Sequence, residues 1–456
     1  MSKNNKYEKK SVYEKVSAEV QAEALRYAEG YMRFLDAAKT EREAVSESVA
    51  MLEAAGYRPY TFGAPVKAGD KLYYNNRGKS LYAFRMGTAP LTDGIRILGA
   101  HIDSPRIDLK QNPVFEDTDM CFLKTHYYGG IRKYQWLAIP LALHGVVVKE
   151  NGEVVNVTIG EREDDPVFCI TDLLPHLAGG DASKPLSQAF NGEKLNILIG
   201  SRPTEGEDSD GVKTAILDCL YDTYGITEED LQSAELSAVP AGRARDLGFD
   251  RSMIGAYGHD DRVCAYPSLT ALLESDDAKN TVMVVLSDKE ETGSDGVTGM
   301  QCDLILDIIR ELSLTCGVSD AAVRAASICL SADVSAAFDP AYADVFEKRN
   351  AALLGYGVAM CKYTGSRGKS GTSDATAELV ARVRRIFNGA GVVWQTCELG
   401  KVDIGGGGTI AKYMANHNID TIDVGVSVLS MHAPFEVISK ADLYETHRGF
   451  LAFCLD

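Results

Sequence analysis

The chain is 456 residues long, 45% hydrophobic and 25% charged, with 47 basic and 65 acidic residues and a formal net charge of −18. These values describe a globular protein of two or three domains and exclude a disordered chain, a collagen-like repeat and a disulfide-held mini-protein. The acidity disfavours nucleic acid and anionic membrane as partners, because both require a cationic surface.

The opening segment, MSKNNKYEKKSVYEKV, is polar and lacks the apolar run of a secretory signal. Residues 17 to 56 read as two helices, the second starting at Thr40 with Glu43 three positions on, a capping-box pattern, and stopping at Gly56. The alternating stretch KLYYNNRGKSLYAFRMG predicts a hairpin between Lys71 and Gly87 that turns at Asn-Arg-Gly. IRILGAHID then reads as a short buried strand whose carboxyl end carries His101 and Asp103.

From 108 to 246 the pattern changes to a hairpin signal at VVVKENGEVVNVTIG, acidic loops at EREDD and TEGEDSDG, and few long helical stretches. This segment is read as an inserted strand-rich domain that interrupts a second domain formed by 1–107 and 247–456. Its longest apolar run, Trp136 to Val148, is broken by Pro140 and His144 and is too short to cross a bilayer. After it a βα rhythm returns: apolar runs at TVMVVLSD, SICLSAD, AGVVWQTCE and TIDVGVSVLS alternate with helical stretches near 262–274, 299–313 and 372–388. The expected fold is α/β, with a mixed, mostly parallel sheet flanked by helices. The ten cysteines include no C-x-x-C pair, so buried thiols in a reducing cytoplasm are expected, not a disulfide frame or a thiolate zinc site.

The chemistry is expected at the strand ends. His101 and His432 follow predicted strands, TVMVVLSD runs into Lys289-Glu290-Glu291, SICLSAD ends on Asp333, and His259-Asp260-Asp261-Arg262 opens the helix after the insertion. Each piece alone has an ordinary reading: a structural histidine, a solvated acidic turn, or an acid at a helix start. Together they converge, because ligands of open α/β sheets bind beyond the carboxyl ends of the strands. Several carboxylates in one desolvated crevice repel unless cations neutralise them. Two imidazoles with three or four carboxylates suit zinc, with manganese or cobalt as alternatives, and two ions about 3.5 to 4 Å apart need one bridging carboxylate. Of the adjacent pair Glu290 and Glu291, one can face a metal and the other can take a proton from water.

At these residues the sequence resembles the aspartyl aminopeptidase family of dinuclear zinc exopeptidases, in its bacterial branch. The segments that carry the resemblance are GAHIDSPRIDLK, GHDDR, SDKEETGSDG, SADVS and MHAPFE, in the family's order from Gly99 to Glu436. The resemblance implies that Asp260 bridges two zinc ions, with His101 and Asp333 on one and Glu291 and His432 on the other. It implies Glu290 as the general base, acting on a water between the two ions, and Asp103 as the residue orienting the His101 imidazole. It further implies that His176 reaches the active site of a neighbouring subunit and that dimers formed through the insertion assemble into a dodecamer. An N-terminal acidic side chain needs a cation. Lys362, Arg367, Lys369 and Lys401 are candidates, and Lys362 matches the family position best. Gly406 and Gly407, in Gly405-Gly406-Gly407-Gly408-Thr409, are read as a close backbone approach to a bound peptide, since the phosphate-loop spacing is lacking.

The expected function is a cytoplasmic, metal-dependent aminopeptidase acting on peptides. Two alternatives keep the ligands: an amidohydrolase or deacylase acting on another amide, and an inactive, metal-stabilised assembly protein. Glu290 argues against the second, because base and ligands are all present.

Overall fold

The computed structural model describes residues 6–180, 183–206 and 209–456. Part of the acidic loop TEGEDSDG, Glu207 and Asp208, and the first five residues of the polar opening segment lie outside them. The described residues divide into two compact units: one drawn from 1–103, 244–431 and 435–456, the other from 104–243 with 432–434.

After a single helical turn at Val12–Lys15, the first unit has helices α1 (Ala18–Ala37) and α2 (Glu41–Ala54). The Thr40 side chain accepts from the Glu43 N–H at 3.3 Å while the Glu43 carboxylate accepts from the Thr40 N–H at 3.0 Å, so both arms of the capping box form. Strands β1 (Arg58–Pro59), β2 (Lys71–Asn76), β3 (Ser80–Arg85) and β4 (Arg96–His101) precede the second unit. The β2–β3 turn uses Arg77 and Gly78 at φ 61° and 67°, the left-handed geometry that matches hairpin twist.

Beyond the second unit come α3 (His259–Leu273), β5 (Val282–Ser287), α4 (Leu304–Cys316), β6 (Ile328–Ser331), β7 (Val358–Cys361), α5 (Ala377–Gly389), β8 (Trp394–Thr396), β9 (Asp420–Gly425) and α6 (Lys440–Cys454). These strands form a nine-stranded sheet in the order β1-β2-β3-β5-β4-β6-β9-β7-β8. β5, β4, β6 and β9 are mutually parallel, while β3 and β7 run antiparallel to their inner neighbours.

Side chains alternate between the two faces of the central strands, so each face builds its own core. Leu98, Ala100, Val284 and Leu330 pack with Tyr31, Phe34, Val263, Leu379 and Phe450 from helices on one face. Ile97, Met283, Val285 and Cys329 pack with Ile305, Ile308 and Leu312 of α4 on the other. The predicted helix at 299–313 lies at 304–316 and ends where Gly317 turns left-handed at φ 67°. The one predicted at 372–388 starts at 377, because the Thr376 side chain caps the N–H of Leu379.

The second unit is a seven-stranded sheet of antiparallel neighbours, in the order Val154–Ile159, Leu141–Val148, Ala234–Pro240, Arg106–Asp117, Met120–Tyr128, Ile197–Gly200, Cys169–Ile170. A helix, Gly211–Tyr224, also belongs to it and ends on Gly225 at φ 63°. Among the described residues of the whole chain, no helix is long and apolar enough to cross a membrane.

The cysteine expectation needs correction. Cys361 and Cys397 form a disulfide, and Cys219 and Cys316 are exposed, whereas Cys121, Cys264, Cys329 and Cys454 are buried thiols. The parallel register of β7 and β8 pairs Met360 with Thr396 and so sets the next residues, Cys361 and Cys397, side by side. A separation of 36 residues carries no sign of that.

Candidate metal centre and active site

Because β5, β4, β6 and β9 point the same way, the residues that follow them gather beyond one edge of the sheet. β4 ends on His101, Glu290 and Glu291 follow β5, and Asp333 follows β6. Asp260 and Asp261 enter from the first turn of α3, where their φ/ψ values of −77°/105° and −120°/27° leave helical geometry. The two neighbours therefore aim differently. Asp260 Oδ1 lies 3.1 Å from Nε2 of His101, whereas Asp261 Oδ2 accepts the backbone N–H of His101 at 3.4 Å.

Two groups of three side chains each bring one ligand atom per residue within 4.8 Å of the others: His101, Asp260 and Asp333, and Asp260, Glu291 and His432. Asp260 belongs to both. The hydrogen bonds of the imidazoles fix which nitrogen is available. Nδ1 of His101 lies 3.0 Å from the carbonyl oxygen of Asp103, and Nδ1 of His432 lies 2.8 Å from that of Gly130. A carbonyl only accepts, so both Nδ1 atoms carry hydrogen and Nε2 is the nitrogen of each ring left to face a metal, which would take the place of any proton there.

Electrostatics calls for a cation at the same place. Burial pushes the carboxyl of Asp333 well above the usual range, and the charge of Asp261 adds to that. Burial opposes protonation of His101, but its hydrogen bonds to Asp103 and Asp260 outweigh it and hold the imidazole well above its ordinary value. Two imidazoles and three carboxylates, with no thiolate, fit a zinc ion or a pair sharing Asp260.

Asp103, fully buried, holds the site from behind. Its Oδ1 lies 3.2 Å from Nδ1 of His101, and its two oxygens accept the N–H groups of Glu290 and Glu291 at 3.1 and 3.2 Å. Glu290 is close enough to Asp333 for its charge to raise that carboxyl further.

Other sequence candidates lie differently. His176 is exposed in a turn of the second unit. Lys362 is exposed, and it and Lys369 bond the two oxygens of Asp374. Gly406 and Gly407 pair as a two-residue strand with Ser366 and Gly365. A Cβ on Gly406 would meet the Gly365 carbonyl oxygen at 2.3 Å, so close chain packing within the loop already requires that glycine.

Sequence reasoning missed two supports. Glu436, 1% exposed, accepts the backbone N–H of Asp260 at 3.1 Å. His259, whose Nε2 lies 3.2 Å from the Ile254 carbonyl, takes a hydrogen bond from Tyr31 Oη at 2.8 Å and is pushed down to about 3 by burial. Glu436 stands four residues past His432, a spacing that signals nothing by itself.

Carboxylates and imidazoles gathered at the carboxyl edge of a mixed α/β sheet, with a further glutamate beside them, are the arrangement of a metal-dependent hydrolase. The comparisons make it specific. The family model described as aminopeptidase I zinc metalloprotease (M18) matches residues 34–454, and the chain belongs to that family as a zinc metalloaminopeptidase. It is 52% identical over 455 residues to the probable M18 family aminopeptidase 1 of Clostridium acetobutylicum, covering 98% of each chain. It is 47% identical over 451 residues to that of Thermotoga maritima, again covering 98% of each. The crystal structure of the T. maritima M18 aminopeptidase superposes with a TM-score of 0.94 at 46% identity, covering 98% of this chain and 99% of that one. That of C. acetobutylicum aminopeptidase I gives 0.92 at 50% identity, covering 99% and 100%.

Proposed function

We propose that the chain removes the N-terminal residue from peptides at a site for two zinc ions, with Asp260 shared between them. His101 and Asp333 would hold one ion, and Glu291 and His432 the other; cobalt or manganese suits the same donors. The observation that carries this reading is the sharing of Asp260 by two three-ligand groups. When bound, such ions polarise a carbonyl and make water acidic enough to be deprotonated near neutral pH. Glu290 takes that proton as water attacks the first peptide carbonyl, then returns it to the leaving amine. Asp103 keeps the His101 imidazole turned with Nε2 forward and holds the Glu290 and Glu291 amides.

The side chain of the departing residue is set by a pocket in which Lys362 is the candidate cation and Gly406 and Gly407 the close backbone. An N-terminal Asp or Glu is the class that cation would favour, though Asp374 already matches its charge. The mApe1 of S. cerevisiae, which shares this fold at 21% identity and a TM-score of 0.77, is a dodecamer. That analogy supports a homo-oligomer for this chain; the family resemblance adds dimers built through the insertion that assemble into a dodecamer, with His176 reaching a neighbour's site, and we place the protein in the cytoplasm.

Zinc content separates the ligand roles. Asp260→Ala is expected to lose both ions, and His432→Ala to keep one. Retention of two ions by Asp260→Ala overturns the shared-ligand assignment.

A further inference from the structure

Behind the ligand groups lies a set of buried charges that the reaction above does not use. Asp288, 1% exposed, follows β5 and immediately precedes Lys289-Glu290-Glu291. Its Oδ2 accepts from Thr298 Oγ1 at 2.6 Å and lies 3.9 Å from Nζ of Lys79. The same ammonium lies 3.1 Å from Oε1 of Glu41, the first residue of α2 and itself buried. A lysine from the end of the β2–β3 turn thus sits between two buried carboxylates from unrelated segments.

The turn that supplies Lys79 is also fastened to the loop after β5. Asn76 Nδ2 donates to the carbonyl of Val297 at 2.9 Å and to Ser80 Oγ at 2.9 Å. On the far side of the same loop, Asp103 accepts the amides of Glu290 and Glu291. Between the two anchors Lys289 adopts φ 65°, a left-handed conformation that a residue with a Cβ keeps only when its surroundings impose it. Asp103 grips the turn by its amides, and Lys79 grips its entry by the Asp288 carboxylate.

We propose that Lys79 is a positioning residue for the aminopeptidase reaction, which through Asp288 fixes the Lys289–Glu291 turn and so the aim of Glu290 and Glu291. The inference rests on Glu290 and Glu291 acting as proposed above. A purely structural Lys79 would neutralise buried acids and nothing more; a positioning Lys79 sets turnover without touching substrate.

The test uses the zinc-loaded enzyme and an aminoacyl anilide. Lys79→Met is expected to lower kcat about 10- to 100-fold, the range for residues supporting metal ligands, with KM within about twofold. Lys79→Arg keeps a cation at the same place and is expected to recover most of kcat. Adding Glu41→Gln to Lys79→Met keeps the net charge of the three side chains at its original value. That double variant is expected to regain thermal stability but not kcat, because Asp288, though still bonded to the Thr298 hydroxyl, has then lost its ion pair to the β2–β3 turn. The proposal is overturned if Lys79→Met leaves kcat per folded site within about twofold of wild type, or if Glu41→Gln restores it. Glu290→Gln is measured alongside. If it retains turnover, the reading of the site fails; if it is inactive while Lys79→Met is unimpaired, only the role of Lys79 fails.

Discussion

Gly425, the last residue of β9, lies against the backbone of a proposed zinc ligand. A Cβ built there would sit 1.9 Å from the carbonyl oxygen of Asp333, 2.7 Å from its carbon and 2.9 Å from Sγ of Cys264. Real Cβ contacts essentially never fall below 3.0 Å, so Gly425→Ala must move the Asp333 backbone or β9 by at least 1.1 Å, the difference of 3.0 and 1.9. Metal-ligand distances tolerate only about 0.2 Å, several times less than that shift. Overpacking of this kind costs roughly 1 to 3 kcal/mol of stability. The shift of Asp333 should weaken zinc binding by about tenfold or more, as loss of ligand support does. Gly389, at the end of α5, is the control, since nothing lies within 4 Å of its would-be Cβ. Gly389→Ala should leave zinc affinity and melting temperature unchanged or slightly raise the latter. Zinc titration against a competing chelator and thermal unfolding read both variants. A folded Gly425→Ala enzyme with wild-type zinc affinity would refute the reasoning that the strain falls on Asp333 and reaches the metal site.

Asp423 offers a pH test away from the ligands. Burial pushes its carboxyl up to about 6, against hydrogen bonds from Thr409 and Ser331 that lower it. The folded state therefore binds this proton more tightly than the unfolded one. The resulting stabilisation, on the order of 3 kcal/mol, is full below about pH 4 and is lost as pH rises through about 6. The stability difference between wild type and Asp423→Asn in urea should fall across that window, and a difference independent of pH contradicts it. Asp374→Asn frees Lys362 and Lys369 and should raise kcat/KM for N-terminal Asp over Leu substrates by about two- to fivefold, the small worth of exposed ion pairs. An unchanged ratio removes Lys362 from the pocket. Chelation should abolish activity and lower the melting temperature, because the clustered carboxylates lose their counter-charge. Full activity in zinc-free enzyme would count against any metal role.

Much of this was legible in the sequence because it is encoded locally. The capping box at Thr40 and Glu43, the hairpin around Arg77-Gly78 and the apolar runs of β4, β5 and β6 each depend on neighbouring residues. The clustering of His101, Glu290, Glu291 and Asp333 was readable for a topological reason: parallel strands deliver whatever follows them to one edge. What stayed hidden depends on pairs distant in sequence. The Cys361–Cys397 bond needs the register of β7 and β8, and Glu436 meets Asp260 only through tertiary packing. The different aims of Asp260 and Asp261 come from backbone geometry at the start of α3, where the pattern Asp-Asp looks symmetric.

The most direct measurement of the central claim is the zinc content and turnover of Glu290→Gln on a panel of aminoacyl anilides. Glutamine keeps the shape and removes the base, so the variant should carry wild-type zinc and lose kcat by about 100- to 10,000-fold, the usual worth of a positioned acid–base group. Turnover near wild type with full zinc would contradict Glu290 as the base, and loss of zinc would show that it serves as a ligand instead.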